Sequence, residues 1–109
     1  MNYVVEISAQ AKNDLKNIYK YIALDLLSPL TASKQLDRLE AGIKSLDSMP
    51  MRYSKYKDEP WRSRGMRIMS INNYVVLYIP NEKTGVVTVI RVMYGGRNIA
   101  EQLNNIEEE

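Results

Sequence analysis

GMRIMSINNYVVLYIPNEKTGVVTVIRVMYGGRN, from Gly65 to Asn98, is the stretch that decides the fold. Its β-branched and aromatic residues fall into three segments separated by two turn signals. Asn72-Asn73 suits a two-residue hairpin because asparagine tolerates positive φ, and Asn81 to Gly85 supplies a longer turn. Three strands joined in this way form an antiparallel meander. Arg67 lies on the first strand, Tyr74-Val75-Val76-Leu77-Tyr78-Ile79 forms the second, and Arg91 interrupts an otherwise apolar third from Val86 to Met93. By period-two alternation Arg91 shares a face with Val87, Val89 and Met93, opposite Thr88, Ile90 and Val92. A cation on a largely apolar face requires either an opening to a partner or a buried counter-ion.

Upstream, Tyr3 to Ile7 reads as a short strand, and Ser8 is placed to cap a helix. Ala11, Leu15, Ile18, Ile22 and Leu26 recur at helical spacing on one face, with Lys12, Lys16 and Lys20 in a separate row. Ser28-Pro29 restarts a helix, with Ser28 as cap, Pro29 in the first turn and Ala32, Leu36, Leu39, Ile43 and Leu46 as its apolar stripe. The short connection places the two helices antiparallel, and Met49-Pro50 ends the second. The expected fold is α+β: an antiparallel sheet with a helical hairpin on one face, in the order β-α-α-β-β-β, with a possible C-terminal helix from Ile99. One sheet face buries the helices; the other is the place for a functional surface.

The chain has 109 residues, 45% hydrophobic and 26% charged. This suits one domain able to bury roughly 65% of its unfolded surface. We assign it to residues 1–103, followed by an acidic tail at 104–109 that either frays or extends the last helix. No apolar run approaches the ~20 residues of a membrane span. The N-terminus also lacks a basic region followed by an apolar stretch, so the expectation is a cytoplasmic chain with no membrane partner. The net charge of +2 conceals an asymmetry: residues 1–98 hold 15 basic and 9 acidic side chains, while 99–109 hold four glutamates and no base.

The basic groups are densest in the long irregular segment 50–65. There Arg52, Lys55, Lys57, Arg62 and Arg64 interleave with Tyr53, Tyr56 and Trp61. Such a loop either attracts phosphates or an acidic protein while its rings stack bases, or is a solvated surface with Trp61 plugging the core edge.

Taken in succession, Gly65-Met66-Arg67, then Tyr74 and Tyr78, then Arg91-Val92-Met93-Tyr94-Gly95-Gly96-Arg97-Asn98 resemble the RelE/ParE superfamily of bacterial toxins. The resemblance covers about residues 3 to 103 and is closest to the ParE branch. In that branch a G-x-R precedes the hairpin, an aromatic stands in the central strand and an arginine in the last, and the ending is like His-Gly-x-Arg-Asp. Tyr94 here replaces the histidine and Asn98 the aspartate. The resemblance implies the toxin of a type II toxin–antitoxin module, neutralised by a cognate antitoxin and inhibiting DNA gyrase by binding. Arg67, Tyr78, Arg91, Tyr94, Arg97 and Asn98 are its target-binding candidates. RelE-type relatives instead cleave ribosome-bound mRNA, and an inactive member that only binds antitoxin is a third possibility.

The residue inventory separates these chemistries. With no histidine and no cysteine, a Ser-His-Asp triad, a thiolate and the usual zinc ligands are all excluded. Gly95-Gly96 lacks phosphate-loop spacing, so neither cofactor nor metal is expected. Cleavage of RNA would need Lys, Tyr or a carboxylate to take the 2′-hydroxyl proton and arginines to stabilise the phosphorane. RelE-type enzymes place an arginine where Val75 stands, a late tyrosine near Leu103, and paired lysines on the strand that here reads Arg67-Ile68-Met69-Ser70-Ile71. Each key residue also has a structural reading. Arg67 and Arg91 could pair with carboxylates such as Glu6, and Tyr78 and Tyr94 could be packing residues.

Overall fold

The computed structural model describes residues 2–96 and 99–107. The elements are β1 (Val4–Ile7), α1 (Ala9–Lys20), α2 (Pro29–Lys44), β2 (Arg67–Ile71), β3 (Tyr74–Asn81), β4 (Val86–Tyr94) and α3 (Ile99–Glu107). They give the expected β-α-α-β-β-β order with the C-terminal helix present. β2, β3 and β4 form the antiparallel meander, turning at Asn72, whose φ is 55°, and at Gly85, whose φ is 71°. β1 joins the sheet parallel to β4, with Val4 opposite Val86 and Ile7 opposite Val89, so the strand order is β1-β4-β3-β2. The long route from β1 to β4 is what allows a parallel pair, which a tight turn cannot make.

Ser8 caps α1 as its position suggests: its hydroxyl accepts the Ala11 amide at 3.0 Å and donates to the Ile90 carbonyl at 3.0 Å. Ser28 precedes α2, but its hydroxyl donates to Thr31 Oγ1 at 2.7 Å rather than accepting a backbone amide. Leu26 departs from the expected α1 stripe and is exposed. A π-helical turn at Tyr21–Asp25 ends the helix there, with Ile22 still facing inward, Ala23 joining it and Leu26 left outside as the cap.

The sheet carries two cores. On the hairpin face, Ala11, Leu15, Leu39, Ile43 and Leu46 pack against Met69, Val76, Tyr78, Val87, Val89 and Val92. The opposite face is covered as well, by Tyr56, Trp61 and Met66 from the 50–66 segment and by Leu103 of α3, packed on Val75, Leu77 and Met93. The expectation of an open functional face is therefore corrected. Val75-Val76-Leu77-Tyr78 is apolar on both faces of the central strand and is buried throughout. A strand of that composition needs two covers.

A bulge corrects the expected face of Arg91. Leu77 pairs with Arg91 but Tyr78 pairs with Val89, so Ile90 is the extra residue on β4. The alternation slips there: Val87, Val89 and Val92 all reach the hairpin core, while Met93 joins the other.

Candidate functional site

At its parallel end β1 stops at Ile7, and the edge of β4 beyond it is covered by α1. There Asp14 receives Arg91 in a bidentate pair, Nε to Oδ2 at 2.6 Å and Nη2 to Oδ1 at 2.9 Å, and Asp14 Oδ2 also accepts the Val92 amide at 2.9 Å. Both residues are 8% exposed. The counter-ion of Arg91 is thus Asp14, not Glu6, and it caps a strand-edge amide at the same time. Two parallel charge-assisted bonds hold the guanidinium in one orientation.

Arg67, on the opposite edge strand, is held by backbone carbonyls instead of a carboxylate. Its Nη1 donates to the carbonyls of Met51 at 3.0 Å and Tyr53 at 2.6 Å. Across the ladder stands Tyr78, fully buried, whose hydroxyl donates to Pro50 O at 2.6 Å. Arg52 is exposed and closes the end of α2. It donates to the carbonyls of Ser48 and Met49 and to Ser45 Oγ at 3.1 Å, and its guanidinium lies 4.7 Å from the Tyr53 ring centre. The chain between them runs beside β2, with Ile68 donating to Ser54 O and Tyr56 to Met66 O. Arginines that spend donors on carbonyls keep their charge, so this edge remains positive.

The 50–65 segment separates its aromatic and basic residues. Tyr56 and Trp61 are buried and Tyr53 is half-buried against the hairpin core. Arg52, Lys55, Lys57, Arg62 and Arg64 are exposed, with Arg64 stacked 5.0 Å above the Trp61 ring. The chain does not present the interleaved base-stacking platform, because the second sheet face needs those rings as its cover.

Tyr94 lies at the hairpin end of the sheet. It is 46% exposed and meets Tyr74 edge to face at 5.9 Å. Gly96 sits under its ring: a Cβ there would lie 2.5 Å from Tyr94 Cε2. A shallow cavity of about 310 Å³ opens beside them, lined by Ser70, Asn72, Asn73 and Gly95. Arg97 and Asn98 lie outside the described residues. The four described target-binding candidates do not converge. Arg67 and Tyr78 are ladder partners, Arg91 turns to α1, and Tyr94 is at the far end of β4.

Burial pushes the Tyr78 phenol up to about 12, against the pull of Arg67 and Arg52, and burial followed by the Asp58 charge raises Tyr56. Both shifts move a phenol away from duty as a proton acceptor at neutral pH. They also make a stability statement. Between pH 10 and about 12 the unfolded chain has released the Tyr78 proton and the folded chain still holds it, so stability is full below pH 10 and falls as pH rises through that window. Urea denaturation from pH 9 to 11.5 should show this alkaline loss, and Tyr78→Phe should make it shallower.

Asp14 is the residue that the motif reading missed. Its signal was nonetheless present: it stands three residues after Ala11 and four before Ile18, inside the apolar stripe. Among the described residues no cluster of His, Cys, Asp or Glu could hold a metal, and no helix is long and apolar enough to cross a membrane.

Comparison with known proteins places this arrangement. Residues 5–99 match the family described as ParE toxin of type II toxin-antitoxin system, parDE. No curated protein sequence matches significantly. A structure of the chromosomal ParDE system of P. aeruginosa is 17% identical, with a TM-score of 0.68 over 84% of this chain and 95% of that one. A mutant of the E. coli toxin RelE in the free state is 14% identical, with a TM-score of 0.66 over 99% and 98%. The toxin–antitoxin complex RelBE2 of Mycobacterium tuberculosis contains a chain 19% identical, with a TM-score of 0.59 over 86% and 99%. At such identities these structures share the fold.

Proposed function

Because the chain belongs to the ParE toxin family of type II toxin–antitoxin systems, within the RelE/ParE superfamily, we propose that it arrests growth by binding DNA gyrase, with no chemical step of its own. One observation carries the non-enzymatic reading. Arg91 is held by Asp14 and Tyr78 is enclosed with a raised pKa, so two groups that a ribonuclease mechanism would draw on are occupied structurally. What faces solvent is a set of cations on the 50–65 segment, with the half-buried Arg67 beside them on β2. Such a surface recognises an acidic protein or a nucleic-acid backbone through charge.

A cognate antitoxin would neutralise the toxin. RelBE2 is a toxin–antitoxin complex that contains a chain of the same fold, and an edge of the present chain suits such a partner. β1 is an edge strand bordered by a groove of about 480 Å³ that Val5, Glu6, Ile7 and Lys12 line. An extended peptide can add to such an edge by main-chain hydrogen bonds.

The test is a parallel assay of the purified protein for gyrase-dependent DNA cleavage and for message cleavage on translating ribosomes. Gyrase-dependent breaks without message cleavage are expected. Codon-phased cleavage preceding any DNA damage response would instead establish a RelE-like endoribonuclease. Inactivity in both assays with antitoxin binding retained would mark a binding-only member. Arg67→Ala sharpens the result: its carbonyl partners can take water at a half-buried site, so it should cost only about 1 kcal/mol of stability while reducing toxicity. Denaturation curves alongside growth assays check both halves.

A further inference from the structure

α2 is an unbroken α-helix from Pro29 to Lys44, and only one side of it is spent on the core. Ala32, Gln35, Leu39 and Ile43 are buried, whereas Leu30, Lys34, Asp37 and Ala41 are exposed on the opposite side, Leu30 at 69%. Their spacing of four, three and four residues holds them in one narrow stripe, the spacing of a coiled-coil seam. A single exposed leucine is ordinary on a protein surface. The order of this stripe is not: a large apolar residue, a cation, an anion and a small apolar residue. Laid against a reversed copy of itself, it sets large against small and cation against anion at every step.

We infer that a second copy of this chain docks on this stripe, α2 against α2, antiparallel about a two-fold axis. A two-fold interface uses the same patch on both copies, so every contact occurs twice. Leu30 lies over the partner's Ala41, Lys34 meets the partner's Asp37, and both contacts repeat in reverse. The small Ala41 permits an interaxial distance of about 8–10 Å. Leu27, 84% exposed just before the cap Ser28, extends the apolar end toward the partner's last turn, where Lys44 offers its aliphatic stem. A parallel pair is disfavoured, since it would set Lys34 against Lys34 and Asp37 against Asp37. α1 cannot serve in the same way: Lys12, Lys16 and Lys20 are exposed along it, while its single carboxylate, Asp14, is buried. A phosphate backbone or an anionic lipid surface on α2 would meet Asp37 and Glu40, both exposed. Sixteen residues make a helix about 24 Å long and about 10 Å wide, so the pair buries less than the roughly 1,200–2,000 Å² of a standard interface. The dimer is therefore a weak one that forms and dissociates with concentration.

The test is sedimentation velocity of the purified full chain from about 5 to about 500 µM, a range that brackets an interface below standard size. Wild type, Asp37→Lys and the double variant Lys34→Asp/Asp37→Lys are compared. All the substituted side chains are exposed, so thermal unfolding followed by circular dichroism should stay within a few degrees of wild type. Wild type should pass from monomer to dimer across the range. Asp37→Lys turns both ion pairs into repulsions and should weaken association about tenfold or more. The double variant restores opposite charges at both contacts, and its dimer should return to within about threefold of wild type. Wild type that stays monomeric throughout overturns the inference. A wild-type dimer that Asp37→Lys does not weaken places the contact on another surface and overturns it too, as does a double variant that remains monomeric. Monomeric wild type that instead sediments with phosphatidylglycerol vesicles, and loses this with Leu30→Asp, assigns the stripe to lipid. Self-association is read without any toxicity or gyrase assay, so its failure leaves the proposed function untouched.

Discussion

Asp14→Ala is expected to destabilise the fold by about 3–5 kcal/mol, because it leaves the Arg91 guanidinium buried without a counter-ion. The Val92 amide loses its acceptor in the same step. Single domains are stable by only about 5–15 kcal/mol, so such a loss should lower the urea midpoint sharply. The double variant Asp14→Leu/Arg91→Met separates the cost of an orphaned charge from the worth of the pair. Replacing both partners by apolar side chains of similar size is often neutral, so much of the stability should return. Arg91→Ala should behave like Asp14→Ala, with toxicity falling in step with the folded fraction. A cost below about 1 kcal/mol for Asp14→Ala would mean a solvated pair, and would release Arg91 for contact with a target.

The Asp14–Arg91 pair also marks how far sequence reasoning reaches. That Arg91 needed either an opening or a buried counter-ion followed from its apolar neighbours; which carboxylate answered it did not. Glu6 was the natural choice on a flat ladder, yet β1 runs parallel to β4 and sets Glu6 opposite Thr88. Asp14 becomes reachable only because β1 ends at Ile7 and α1 crosses the edge beyond it. The bulge at Ile90 was equally hidden, since no glycine announces it and the residues on either side are apolar. Element order, both hairpin turns and the helix stripes were legible because each rests on a short-range pattern. The π turn was not: one extra residue in a helical turn leaves no compositional trace, and Leu26, the cap that follows it, is exposed.

The two-sided core was legible in principle. Four consecutive apolar residues in the central strand cannot all face one helical layer, so the cover of the second face had to come from elsewhere in the chain. The 50–65 segment and α3 supply it. The same fact explains why a basic-aromatic loop is not a base-stacking platform here: its rings are structural and its cations are left outside.

That division leads to the second large effect, at Trp61. It is the single tryptophan of the chain, 7% exposed, and packs with Tyr56, Met66, Leu77, Met93 and Leu103. Removing a buried indole forfeits its transfer free energy and leaves a cavity, so Trp61→Ala should cost about 3–5 kcal/mol. Trp61→Phe keeps much of the volume and should cost less. The Trp61 Nε1 has no hydrogen-bond partner among the described residues, so phenylalanine gives up apolar area but no paired donor. Arg64→Ala, losing the cation above the ring, should cost only about 0.5–1 kcal/mol. Circular dichroism during urea unfolding measures all three variants, and wild-type tryptophan emission should shift to the red as the ring reaches water. If Trp61 served chiefly to stack on a target, Trp61→Ala would keep its denaturation midpoint and lose toxicity. The packing around it leads us to expect the reverse order, in which toxicity declines only as the fold does.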